Sequence, residues 1–333
     1  MTTPVNRRLF DVSLRPMSGS RFQPTGFPDI GAATFKRPYR DDGGELRHRE
    51  CLLVESPQSM GNHLEAVGWD EGSQSPVAAL AGLPYVRVVA KEDDRYVTSS
   101  RTEAHRLSSA FIRDSFISHD DGKTVGMLDE VKERFGLRDD TPLEARHIAA
   151  QVMAMDPLCL IHGVFFSAKA WPGQPKIARA VTGFVEATDV EPVVSGGVKR
   201  DDVRHSKSES GGAAEGYGHV PFHRMEYAAA EIAASFSLDL AQLRSYGLGD
   251  DATALLEAIA LWEVRSLLDG GMRLRTACDL EPTSHEIRDR AGQPLPTNEE
   301  LEAAISGGVE TCKDSLRPGG PIEVVWSPKG AKS

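Results

Sequence analysis

The chain has 333 residues, 40% apolar and 26% charged, with 49 acidic against 38 basic side chains and a formal net charge of -11. That composition belongs to a soluble globular protein of one large or two medium domains. It excludes a uniformly basic nucleic-acid coat but leaves room for a basic groove on an acidic body. No window approaches the roughly 18 consecutive apolar residues that a membrane-spanning helix needs. Met1 to Phe10 lacks the apolar core of a secretory signal. The four cysteines, Cys51, Cys159, Cys278 and Cys312, form no CxxC pair; buried free thiols in a reducing cytoplasm are expected, not a zinc ribbon.

Residues 1–49 carry nine Lys/Arg and five Asp/Glu, a local balance of +4 that leaves -15 for the remainder. The Pro- and Gly-rich run from Arg21 to Gly31 reads as an ordered loop, because Phe22, Phe27, Ile30 and Phe35 have little use in a disordered tail. Residues 1–50 are therefore expected as a basic segment packed on a core formed by 51–333. Cys51–Glu55 reads as a buried strand. Ser56 and Pro57 follow as N-cap and first residue of a helix to about Val67. Further strands are expected at Leu83–Ala90, Leu158–Phe166 and Ala178–Ala187, with a helix from about Leu143 to Met155 that stops at Asp156-Pro157. Residues 195–218, bounded by glycines and polar inside, read as a long flexible insertion. Tyr227–Phe236 and Leu238–Leu243 are predicted helical. The clearest helix is 250–268, with Asp250 and Asp251 to cap it. Met272–Leu280 reads as one strand, Glu299–Ile305 as helix and Pro321–Trp326 as a last strand. The mixed order, without regular βαβ alternation, predicts an α+β fold.

Motifs of catalysis are scarce. GxSxG and SxxK are absent, so nothing marks an activated nucleophile. His219, His223 and Glu226 are of metal-ligating type, but Pro221 spoils helical spacing between the two histidines. Ser195-Gly-Gly-Val-Lys199 has its Lys too close to the glycines for a nucleotide-hydrolysing loop, yet Gly-rich backbone with a Lys suits a phosphodiester. Ser56 to Asn62 lies at a strand-to-helix turn, where free N–H groups together with Gln58, Ser59 and Asn62 can meet a phosphate; simple capping explains the same residues. Arg273 and Arg275 alternate along a strand, as a solvated strip or a phosphate-tracking one.

Seven strings in register carry a family resemblance: Gln23–Ala33, Cys51–Asn62, Thr102–Arg106, Ser195–Lys199, Glu215–Arg224, Leu238–Gly247 and Leu274–Glu281. Across about residues 20 to 281 the chain resembles the backbone subunits of type I-G (formerly I-U) CRISPR surveillance complexes, the Cascade assemblies. These belong to the repeat-associated RNA-binding (RAMP) superfamily. The resemblance implies a modified RNA-recognition-motif core, ferredoxin-like, with finger and thumb insertions, the thumb falling at about 195–218. It implies a non-catalytic subunit, without cofactor or metal, that oligomerises along one CRISPR RNA and presents the spacer to a target DNA strand. Further implied partners are other Cascade subunits and a recruited helicase-nuclease. In the wider family the turn after the first core strand touches guide phosphates, which places Gln58 and Ser59 there. The stacking aromatics of ordinary RNA-recognition domains are not evident, so binding is expected to rest on backbone contacts.

The expected RNA-binding residues are Arg21, Gln23, Lys36, Arg37, Arg40, Gln58, Ser59, Asn62, Lys199, Arg200, Arg204, His219, His223, Arg224, Arg273 and Arg275. The rival is a metal-dependent endoribonuclease using His219, His223 and Glu226, and a third reading is a protein scaffold that binds no nucleic acid.

Overall fold

Alternation along the first strand sets the main sheet. Arg7–Pro16 (β1) buries Phe10, Val12 and Leu14 and exposes Asp11, Ser13 and Arg15 between them, the period of two of a strand covered on one face. The computed structural model describes residues 5–27, 31–199, 220–316 and 320–328. Beside β1 lie Thr34–Arg40 (β2), Leu46–Glu55 (β3), Val181–Lys199 (β4), Val220–Asp239 (β5), Met272–Arg275 (β6) and Cys278–Pro282 (β7). The seven strands run in the order β6-β7-β1-β5-β4-β3-β2, every neighbouring pair antiparallel.

Helices cover one face of this sheet. Pro57–Ala66 (α1) leaves β3 through the Ser56 cap, whose side chain accepts from the Ser59 N–H, and buries Met60 and Leu64. Asp250–Asp269 (α2) is buried on nearly every side, as a helix between two layers must be. It packs on α1, β5, β6 and β7, and Asn298–Thr311 (α3) packs on it in turn. Gly308 permits that close approach, because a Cβ there would sit 2.9 Å from Leu255. A second sheet of five short strands runs Thr124–Gly126, Phe116–Ser118, Ile322–Trp326, Val86–Ala90, Tyr96–Ser99. In it Ile322–Trp326 pairs parallel to Val86–Ala90. The fold is thus mixed α and β. All four cysteines are buried and free. No helix among the described residues is long and apolar enough to cross a membrane.

Several expectations give way. The expected boundary at residue 50 falls inside β3, and β1 lies well inside the sheet. Tyr227–Phe236 is strand, not helix. Its alanines favour a helix, but β5 is paired on both edges, and small side chains fit its alternating Ile232, Ala234, Phe236, Leu238 face; tertiary context overrides propensity. Leu158–His162 is a short helix, ended where Gly163 takes φ 80°, and only Val164–Phe165 is strand. Met272–Leu280 is a hairpin turned at Ala277, φ 60°. Gly249 rather than an aspartate caps α2, with Asp250 and Asp251 in its first turn. Ser195–Lys199 is not loop: it pairs with Val220–Arg224 and extends the β4–β5 hairpin.

Candidate nucleic-acid interface

The strand-to-helix turn of β3 and α1 is built over a buried carboxylate. Glu55, at the end of β3, is fully buried. It accepts from the Arg275 guanidinium and the Ser56 N–H, and His63 Nε2 lies 3.6 Å away. Burial pushes this carboxyl up, but His63, Arg275 and Ser59 outweigh it and hold it below the usual range. With Glu55 charged, Ser59 and the first turn of α1 stay fixed, and Gln58 and Asn62 are exposed beside them. Arg275 also donates to the Gln23 and Val54 carbonyls at 3.2 and 3.0 Å. Its role in the fold is therefore a strut. Arg273, across a bulge, keeps 79% of its side chain exposed beside Asp279. The expected pair of equivalent arginines does not form.

A second node lies beside the first. Glu226 on β5 is buried and meets Arg21 at 3.5 Å and Arg224 at 4.0 Å. The intervening segment is stitched down by reciprocal backbone bonds between Phe22 and Tyr227, both 2.9 Å, and by the Gln23 N–H to the Ala277 carbonyl at 2.7 Å. Arg224, Arg21, Gln23, Arg275, Ser59 and Gln58 thus follow one another across linked elements. Proximity in sequence does not account for this: four remote segments supply them.

The β2–β3 hairpin stands apart from that row. All of β2 is exposed. Register puts Lys36 opposite Glu50 and Arg37 opposite Arg49, so Lys36 and Arg40 share one face while Arg37 takes the other. Lys36 pairs with Glu50 at 3.0 Å, and Arg40 donates to the Gly44 carbonyl at 2.8 Å. Arg37 forms no ion pair among the described residues. A single three-cation clamp is therefore not what the strand presents.

His223 is exposed on β5 opposite Gly196. It lies three positions before Glu226, an odd offset that puts the two on opposite faces of a strand. Glu226 is already occupied by two arginines. This geometry does not favour the metal-dependent rival. Arg200, Arg204 and His219 lie outside the described residues, and Lys199 is placed by its backbone alone, opposite Val220.

With this geometry in hand, the family comparison can be stated. The family described as CRISPR-associated protein GSU0053 matches residues 9–192, just over half of the chain. The chain belongs to that family. The match to the CRISPR-associated GSU0053 family takes in β1, the β2–β3 hairpin, α1 and much of β4. The chain is also similar to a chain of a solved "CRISPR RNA-guided surveillance complex, pre-nicking", with 16% identity, 83% of this chain and 73% of that chain covered, and a TM-score of 0.39. No curated protein matches it.

Sequence reasoning missed a set of charges behind α1 in this GSU0053-family chain. Arg106, in the quoted string Thr102–Arg106, holds Glu65 of α1 through two bonds of 2.6 and 2.7 Å. Burial pushes Glu65 up, but His162 and Arg106 hold it below its ordinary value. His162 and Glu263, both fully buried, meet at 2.9 Å. Burial opposes the imidazolium, and the Glu263 and Glu65 carboxylates outweigh it and lift His162. The string gave a signal, since an Arg in it stood unassigned; its partners are 41 and more positions away in the chain.

Proposed function

We propose that this CRISPR-associated protein is a guide-RNA-binding backbone subunit of a type I-G Cascade complex. Several copies would line one CRISPR RNA and hold its spacer open to a target DNA strand, alongside other Cascade subunits and a recruited helicase-nuclease. The role is positional and needs no catalytic residue.

The observation that carries this reading is the row Arg224, Arg21, Gln23, Arg275, Ser59 and Gln58, which four segments deliver to one region of a CRISPR-family fold. Two further features support it. The strand order β7-β1-β5-β4, with α1 before β4 and α2 before β7, matches the order expected of a ferredoxin-like, RNA-recognition-type core into which the β2–β3 hairpin is inserted. The uncovered face of that core carries Asp11, Glu186, Ser235 and Glu281 with Phe184, Asp11 paired to Arg290 and Glu281 to Arg15, a surface of largely paired charges poor in stacking rings. Guide contact through phosphates at the sheet's end suits a protein that must accept any spacer. In this reading residues 200–219 form the thumb, with β4 and β5 as its stem.

The test is purification from cells that carry a CRISPR array. The protein should retain RNA of guide length, seen as excess absorbance at 260 nm and by sequencing. Protein that elutes free of nucleic acid under low salt, while its array is transcribed, would overturn the assignment.

A further inference from the structure

The part of the molecule behind α1 has a feature that the row above does not use. Arg106, Gly163 to Phe165 and Lys176 to Arg179 enclose a cleft of about 320 Å³. Its walls are held close because residue 163 is glycine: a Cβ there would lie 2.9 Å from the Ile177 carbonyl, and the Gly163 carbonyl accepts from Arg106 at 3.1 Å. No carboxylate lines the cleft, whereas His105, Arg106, Lys176 and Arg179 do.

The cations differ in how far they are already satisfied. Arg106 is neutralised by Glu65. Arg179 is not: its bonds go to backbone carbonyls, Pro57 at 3.0 Å and His162 at 3.4 Å. Burial and the neighbouring Arg106 charge both press against its protonation, with Glu65 offsetting part. Lys176 is exposed, and its contact is the ring of Phe165 at 5.6 Å. Phe165 is itself 46% exposed at the cleft. A large bare ring beside two cations that have no carboxylate partner among the described residues matches an anion joined to a flat apolar group. The hydroxyl of Ser108 lines the same cleft and adds a donor.

We propose that this cleft binds one nucleotide unit, its phosphate against Arg179 and Lys176 and its base on Phe165. Single-strand sites elsewhere are made of this combination of cation and stacking ring. The unit can come from a free mononucleotide or from a nucleotide of the guide strand. The second source rests on the guide-RNA reading above; the first does not.

The experiment uses the full chain with two variants at side chains open to solvent, Phe165→Ala and Lys176→Glu. Thermal melting confirms that both fold. Anisotropy of a labelled single-stranded RNA and calorimetric titration with adenosine monophosphate give the readouts. Loss of a stacked base should weaken binding at least about fivefold in Phe165→Ala, and Lys176→Glu should weaken it and flatten the salt dependence. If wild-type protein binds the RNA and both variants bind it equally well, and the mononucleotide does not bind, the cleft is no nucleotide site although the guide-RNA reading stands. If wild-type protein binds no RNA but takes up the mononucleotide in a Phe165-dependent way, the cleft stands and the guide-RNA reading falls. Failure to bind either ligand overturns both.

Discussion

Arg275 on β6 pairs with the buried Glu55 on β3, although four strands lie between β6 and β3 in sheet order. The sheet curls enough for its two flanks to meet, and the 21–25 segment fills the seam, with the Thr25 N–H bonded to the Val54 carbonyl at 2.9 Å. The Arg275–Glu55 pair thus joins backbone bonds of the 21–25 segment in closing the sheet and shaping the candidate RNA contact row.

Arg275→Ala should leave Glu55 buried with only His63, Ser59 and the Ser56 N–H to balance it. Removing one partner of a buried pair costs about 3–5 kcal/mol, which denaturant titration can read. The pH dependence has a defined sign. The folded Glu55 carboxyl lies below its ordinary value of 4.5, so its contribution is full above that value and fades as pH falls through the folded one. The stability advantage of the native protein over Glu55→Gln should shrink as pH falls below that ordinary value. An advantage that grows over that acid range would contradict the ion-pair account.

Salt dependence separates phosphate contacts from base reading. Each phosphate neutralised on a single strand should add roughly -0.7 to the slope of log K against log salt, with little preference among spacer sequences. The β2 cations divide by face, so their variants should divide too. Arg37→Ala should reduce the slope by about 0.7 if that face meets RNA, and Lys36→Ala with Arg40→Ala by up to about 1.4 if the other face does. Their exposure means that melting temperature should hardly move. Only one of these two variants changing the slope would show which face of the hairpin meets the strand.

Packing under α1 gives a prediction independent of RNA. A Cβ at Gly183 would lie 2.6 Å from Phe236 and 3.0 Å from Met60. Both neighbours are buried, and the helix cannot back away without lifting α1 from β4. Gly183→Ala should destabilise the protein by about 1–3 kcal/mol. An unchanged unfolding midpoint would mean that the β4–α1 contact is looser than it stands here.

The elements legible in the sequence were those whose signal is local. The Ser56-Pro57 start of α1, the Asp156-Pro157 stop and the heavily apolar α2 each announce themselves within a few residues. What escaped depends on partners far along the chain. β1 has an alternating pattern diluted by arginines at its ends, and β5 is spelled in helix-forming alanines. Likewise Gln58 and Ser59 are visible as a turn, but nothing near them says that Glu55 and Arg275 fix its shape. Arg179 and Phe165 carry no motif at all; they line one cleft whose walls Gly163 lets approach.

The β4–β5 hairpin offers the most direct test of assembly. Its register runs without a break from Val190↔Ala229 to Lys199↔Val220, so residues 200–219 leave and rejoin the stem at directly opposed positions. A two-residue Asn-Gly turn can therefore join Lys199 to Val220 with the strands in register, because its left-handed backbone matches strand twist. The shortened chain should fold and melt like the parent. Val194 and Val198 lie exposed on the stem and remain in place, so a change in behaviour belongs to the excised segment. If 200–219 forms the thumb that spaces subunits on a guide, the shortened protein should still bind RNA through Arg21, Arg224 and the α1 turn, but no longer form particles of regular length by electron microscopy. Particles of normal length and normal interference with target DNA would make this segment dispensable and remove the thumb from the proposed function.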